Sequence, residues 1–309
     1  IRRKMNIYII INYLILSIVF SFLSIELISA LALFYDKNKF NEIRDIISPV
    51  WEMIGTFIIF FVVNTEVLYP NLLPTIAKLY TIPILLIGLF IISRNAFLAY
   101  SEQMWKGSKI DSILLARVYS ISTLIISFLS LVVLISILTG LGVINLTVFN
   151  FIQFFSNYYT LTLILGVILV LFGLSFIFYK IEKNKILSPI FTLFGLIILI
   201  YSFYKLDFYI NYLIYIDALL IFLISLSYYL FNFSKKYIIF LINSLSFFLI
   251  EILNYGKIFG TQSLINYLNT SPVLPASFIV TILGGTLLLI LLTLFIYMFT
   301  RPSHGEKIY

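Results

Sequence analysis

The sequence predicts an all-α polytopic membrane protein of about nine transmembrane helices, arranged as two four-helix bundles plus one extra helix. Three observations carry that prediction. Hydrophobic residues make up 62% of the 309 and charged residues only 11%, more apolar surface than a soluble globule of this length can bury. The apolar residues fall into separate runs, each near the ~20 residues that one membrane crossing needs. These runs lack the alternation of barrel strands, so each is read as a helix that satisfies its own backbone hydrogen bonds.

The first run, residues 8–34, follows Arg2-Arg3-Lys4. It is far longer than a signal peptide's apolar region and lacks a small-residue cleavage site, so it reads as a membrane helix. The second, 50–68, opens after Ser48-Pro49, because a proline is tolerated in the opening turn of a helix. It closes at Glu66, and Tyr69-Pro70-Asn71 reverses the chain into the third run, 73–93, which ends at Arg94. The remaining six runs are 113–138, 159–179, 187–205, 209–231, 237–254 and 275–299, joined by short connections with no soluble domain.

Residues 1–309 are thus expected to form one integral-membrane domain. Within it we read a pseudo-repeat: a first bundle over 6–140, a second over 150–255, and a last helix over 274–300. The basis is an echo, in which Ile46-Ile47-Ser48-Pro49-Val50-Trp51 recurs 140 residues later as Ile186-Leu187-Ser188-Pro189-Ile190-Phe191. The two copies differ in chemistry, since Trp51-Glu52 corresponds to Phe191-Thr192.

With nine spans, 14 of the 20 lysines and arginines fall on the side of the carboxy terminus. The positive-inside rule then places that terminus in the cytoplasm and the amino terminus outside, against the pull of Arg2-Arg3-Lys4. The net charge of +7 sits in short loops, where it sets topology, and gives no reason to expect a nucleic-acid partner. There is no cysteine, which excludes disulfides, thiolate metal sites and thiol nucleophiles. His304, in the polar tail, is the only histidine, so the chain cannot place two histidines about a haem inside the membrane. No phosphate loop, dinucleotide fingerprint, zinc-binding histidine pair or nucleophile elbow is present.

Carboxylates inside membrane spans are costly and face bundle interiors, cavities or proton paths. The candidates are Glu26, Glu52, Glu66, Asp217 and Glu251. Glu26, Glu52 at the start of span two, and Arg94 are expected to meet at one depth near the cytoplasmic rim. Two readings stay open for them: a proton relay, or an ion pair that locks three helices, with Glu52 also acting as an acid in a first helical turn. Glu66 and Glu251 are expected to be solvated at the outer interface. Asp217, among tyrosines near mid-membrane, reads as a packed polar group or part of a quinone or lipid pocket. Gly284-Gly285 is expected to permit close helix contact.

The Ser48-Pro49-Val50-Trp51-Glu52 segment, the proline turn after Glu66, and the third span ending in Arg94 with Phe97 beyond are similar to subunit II of cytochrome bd-type quinol oxidases. The last span, ending Phe295-Ile296-Tyr297-Met298-Phe299 before a short basic tail, also fits. The resemblance is best over residues 20–105 and plausible over the last forty. It implies no haem on this chain, a haem-bearing partner like subunit I, small single-span subunits, quinol as substrate of the complex, a structural quinone or lipid, and a prokaryotic plasma membrane. By motif position Glu52 takes the place of the acid linked to cytoplasmic proton delivery, and Glu26 approximately that of the first acid of the family's helix-one segment. Here that segment reads Glu26-Leu27-Ile28-Ser29, without the family's glycine and second acid. Trp51 and Asp217 are expected to serve structure or partner contact. Other functions compatible with the sequence are a membrane anchor of another quinol-oxidising cytochrome complex and a transporter.

Overall fold

A computed structural model describes residues 6–36, 39–103, 112–260 and 262–300. Within these ranges the side chains of Trp51 and Glu52 lie outside the described set. In chain order the helices are α1 (Ile7–Tyr35), α2 (Phe40–Leu68), α3 (Leu72–Leu79), α4 (Thr81–Gln103), α5 (Ser112–Thr139), α6 (Phe151–Ser156), α7 (Tyr158–Phe178), α8 (Leu187–Lys205), α9 (Tyr212–Phe231), α10 (Lys236–Leu253) and α11 (Leu274–Thr300). Seven are long and apolar enough to cross a membrane, and the apolar parts of α2 and α11 within the described residues are shorter, Met53–Leu68 and Leu274–Leu287. The protein is an all-α, multi-pass integral membrane protein.

The central element is α1, which packs against α2, α5, α7 and α10. Residues 24–33 of α1 are buried on every side, which explains why this stretch shows no polar face. Around α1 stand α2, α4 and α5 on one side and α7 to α10 on the other, while α11 packs on α2. The tightest pair is α7 with α8. A Cβ on Gly195 would meet Val170 N at 2.7 Å and Gly166 O at 2.9 Å, so the two backbones touch and small residues are required there. In the last helix Gly285 lies under the ring of Phe60 of α2, whereas Gly284 faces open space.

Three sequence expectations need correction. Ser48-Pro49 does not start the second helix, because α2 begins at Phe40 and carries Pro49 in its interior. A proline there costs ~3 kcal/mol. The added turns bury Phe40, Ile43 and Ile47 on one helical face, and burial contributes about 1.5–3 kcal/mol for each such side chain. The run 73–93 is not one helix, because it divides at Tyr80 into α3 and α4. Pro83 supplies no N–H to Leu79, so the chain breaks one turn before it. Two connections are also longer than expected. Residues 140–150 include a two-stranded hairpin (Val143–Ile144 with Val148–Phe149) followed by α6, and residues 254–273 include a second hairpin (Lys257–Ile258 with Gln262–Ser263) and a short 3₁₀ turn.

Both hairpins lie at the end of the molecule that holds Asn6, and the tip of the second docks on the end of α5, just before the first. Phe259 N donates to Ile137 O at 2.6 Å. Gly140 and Gly260 both adopt positive φ, and a Cβ on either would strike the other segment's backbone at 2.6 or 2.5 Å. At the opposite end, Glu42 of α2 bridges Lys39 at 2.8 Å and Lys236 of α10 at 3.7 Å.

The apolar interior forms two layers. One gathers Ile25–Leu33, Ile43, Ile47, Leu98, Tyr119 and Phe176–Tyr179 toward the carboxy-terminal end of α1. The other gathers Ile9, Leu68, Tyr69, Tyr80, Phe149, Phe154, Leu264 and Phe278 beneath the hairpins. Each layer contains one buried glutamate.

Candidate functional site

Glu26 stands nine residues before the end of α1, and Arg94 nine residues before the end of α4. At 1.5 Å per residue both lie about 14 Å from the same end of the bundle, so the two helices present them to each other. Glu26 is 1% exposed and Arg94 3%. Arg94 Nη1 donates to Glu26 Oε2, while Arg94 Nε and Nη2 each donate to Asn95 Oδ1 at 3.1 Å. The guanidinium is therefore held on two sides, by a carboxylate and by an amide.

Glu26 Oε1 is buried and has no hydrogen-bond partner among the described residues. Tyr119 of α5 lies within electrostatic reach of both members of the pair, with the hydroxyl of Thr123, one turn on, beside its own. A carboxyl group engaged through one oxygen and free at the other can take up or release a proton without leaving its arginine. One turn along α1, Ser29 Oγ shares a 2.5 Å hydrogen bond with the Tyr179 hydroxyl, tying α1 to the end of α7.

The expected meeting of Glu26 with Arg94 is therefore present. The Glu52 and Trp51 side chains lie outside the described residues. The backbone places Glu52 twelve residues into α2, so it is not the first-turn acid expected of it; that position belongs to Glu42.

The second buried glutamate departs from expectation. Glu251 is 6% exposed, not solvated at an interface, and its Oε2 has no partner among the described residues. Depth along α10 was readable from residue count, but rotation was not, and α10 turns Glu251 inward. It lines a cavity of about 400 Å³ bounded by α1, α2, α3, α5 and the second hairpin. The walls are apolar, with Leu16, Phe20, Phe61, Leu134 and Ile137 among them. Two further buried polar atoms at this cavity have no partner among the described residues: Asn12 Oδ1, whose Nδ2 donates to Thr65 Oγ1 at 3.2 Å, and the Tyr69 hydroxyl. The volume falls within the roughly 300–1,000 Å³ of small-molecule sites. An apolar chamber with a few converging polar atoms suits an amphiphile. Asn12 and Tyr69 did not stand out in the sequence; an amide inside an apolar run at Asn12 was the only signal.

Glu66 is exposed, as expected. Asp217 of α9 is partly buried beside a small void of about 100 Å³ that Asn243, Ser246 and Phe247 of α10 also line, and its Oδ1 has no partner among the described residues. It does not join Glu26 and Arg94.

No family model matches this chain, and no curated protein matches it. Among solved structures, a chain of the bd oxidase from Geobacillus thermodenitrificans has the same fold. The TM-score is 0.69 over 96% of this chain and 98% of that one, at 16% identity.

Proposed function

We propose that this chain is the haem-free membrane subunit of a cytochrome bd-like quinol:oxygen oxidoreductase, resembling subunit II. It supports a haem-bearing partner resembling subunit I and contributes to proton delivery from the cytoplasmic side. The observation that carries the reading is the buried Glu26–Arg94 pair with one carboxylate oxygen free, in a chain whose fold is that of a bd oxidase chain. In this reading Glu26 holds the proton and Arg94 keeps the carboxyl oriented. Glu52, on the neighbouring helix, passes protons inward from the carboxy-terminal rim. The membrane is a prokaryotic plasma membrane with the carboxy terminus in the cytoplasm. The haems belong to the partner, and small single-span subunits complete the complex.

The apolar cavity fits the structural quinone or lipid that the resemblance implies, with Asn12, Tyr69 and Glu251 as the polar groups that would hold its head. Such a molecule would supply packing between α1, α2 and α5.

The test is Glu26→Gln in the assembled complex. The expected result is an unchanged haem spectrum with quinol-driven oxygen consumption and proton uptake reduced about a hundredfold or more, the range attributed to a positioned proton-transfer group. Full turnover and full proton uptake at full haem content would overturn the proton role.

A second reading has an observation of its own. Arg94 is anchored on both sides, as a purely structural ion pair would be, and this suits a membrane anchor of another quinol-oxidising cytochrome complex. Co-purification separates the readings: a bd-type multi-haem chain supports the first and a haem protein of another family the second. A haem-free homo-oligomer that moves solute would make the chain a transporter.

A further inference from the structure

We propose that the hairpin end of the molecule carries a binding site for the headgroup of an anionic phospholipid, held by Lys205 and Lys257. This inference does not depend on the oxidase reading.

A cleft of about 290 Å³ opens where the end of α5 meets the starts and ends of the second-bundle helices. Its lining includes Asn157, Lys205, Asp207, Asn254, Lys257 and Gly260. Lys205 is the last residue of α8, and Lys257 opens the second hairpin, so two segments far apart in sequence bring two ammonium groups to one cleft. Both lysines are exposed, and neither has a carboxylate within ion-pair distance among the described residues. Lys257 Nζ reaches only the backbone oxygen of Asp207, at 3.5 Å. Asp207 also lines the cleft, so its three charged residues sum to one positive charge. Asn254 is spent, its Oδ1 accepting from Tyr209 N and its Nδ2 donating to Ile250 O. Asn157 caps α7, and the positive end of that 21-residue helix faces the same cleft.

The surroundings select a lipid over a free anion. Lys205 Nζ lies 5.9 Å from the rings of Tyr159, Tyr201 and Tyr204, an aromatic girdle of the kind found at headgroup depth. Leu138 and Lys257 line both this cleft and the 400 Å³ apolar cavity, so a chain attached to a phosphate in the cleft has an apolar wall directly beside it. A phosphodiester between the two ammonium groups, with glycerol and acyl groups toward the tyrosines, satisfies the charge and the apolar surface together.

The experiment uses the full-length chain, purified as it assembles, in phosphatidylcholine vesicles with and without phosphatidylglycerol. Phosphatidylglycerol is expected to raise the thermal unfolding midpoint and to stay bound in native mass spectra. Lys205→Gln with Lys257→Gln is expected to weaken its binding about fivefold for each lysine lost, from the ~1 kcal/mol that a basic residue contributes at an anionic surface. Lys205→Arg with Lys257→Arg, which keeps both charges, should restore the response if the glutamine pair disturbs folding. Lys183→Gln with Lys185→Gln, the same charge loss at the opposite end, should leave it intact. Equal responses to the two lipids, a glutamine pair that keeps the full response, or inorganic phosphate alone reproducing the effect would each overturn the lipid site.

Discussion

Glu26 and Glu251 are both nine-tenths or more buried, one in each apolar layer, yet they meet opposite surroundings. Glu26 is packed against α4 and α5 and answered by a guanidinium, whereas Glu251 faces a cavity and has no ion-pair partner among the described residues. Glu26 obeys the rule that a buried charge must be paired, and Glu251 departs from it. Glu26 is compensated by protein, so its layer can close tightly. Glu251 has no charge partner among the described residues, and its layer stays open around a space that something else can fill. The difference teaches where this molecule is self-sufficient and where it is built to receive a ligand.

The hardest blow to that contrast is removal of the arginine. Arg94→Leu leaves Glu26 buried without its counter-charge, and breaking a buried pair from one side costs about 3–5 kcal/mol. The expected outcome is a large fall in the thermal unfolding midpoint in detergent, or loss of assembly. Glu26→Leu combined with Arg94→Leu removes both charges and should recover most of that stability, since an apolar replacement of a whole buried pair is often neutral. If the double variant is stable but the complex no longer takes up protons, the pair is there for chemistry. If it is stable and fully active, the pair only locks helices. A single Arg94→Leu as stable as the parent would mean that the Glu26 charge is compensated elsewhere.

A smaller effect is expected at the other glutamate. Glu251→Leu deletes a group with an unmet oxygen and places a methyl-rich side chain against an apolar wall, so stability in lipid-free detergent should be unchanged or rise by about 1 kcal/mol. If an amphiphile occupies the cavity in native membrane, the same variant should release it, read as loss of co-purified quinone or lipid by mass spectrometry. A fall of several degrees in the unfolding midpoint of lipid-free protein would show that Glu251 is paired after all, and the contrast with Glu26 would fail.

The nine apolar runs were legible because hydropathy is summed over a whole crossing, and α8 appears with the boundaries that its run predicts, Leu187–Lys205. What the chain does between runs was harder to see. The first turns of α2 are polar on average, with Asn41, Glu42, Arg44 and Asp45, and only the Phe40, Ile43 and Ile47 face betrays a helix ahead of Pro49. The division at Tyr80 was written in Pro83 but hidden by unbroken hydrophobicity on both sides. Glu26 and Arg94 could be matched because counting residues gives depth. Glu251 could not be placed because its direction around α10 depends on neighbours that a uniformly apolar helix does not specify. The hairpins had their glycines, Gly140, Gly142, Gly256 and Gly260, yet strands of two residues leave no alternating pattern to find.

The smallest effect sharpens the contrast within the cavity layer itself, where two buried tyrosines differ in the same way as the two glutamates. The Tyr80 hydroxyl donates to Ser136 Oγ at 2.8 Å, and Ser136 in turn donates to Leu141 O at 2.7 Å, whereas the Tyr69 hydroxyl has no partner among the described residues. Tyr80→Phe is expected to cost about 1 kcal/mol, the net worth of one hydrogen bond, and Tyr69→Phe about zero in lipid-free protein. If Tyr69→Phe costs as much as Tyr80→Phe in protein that retains its native lipid, and nothing after delipidation, the missing partner of Tyr69 is the occupant of the cavity.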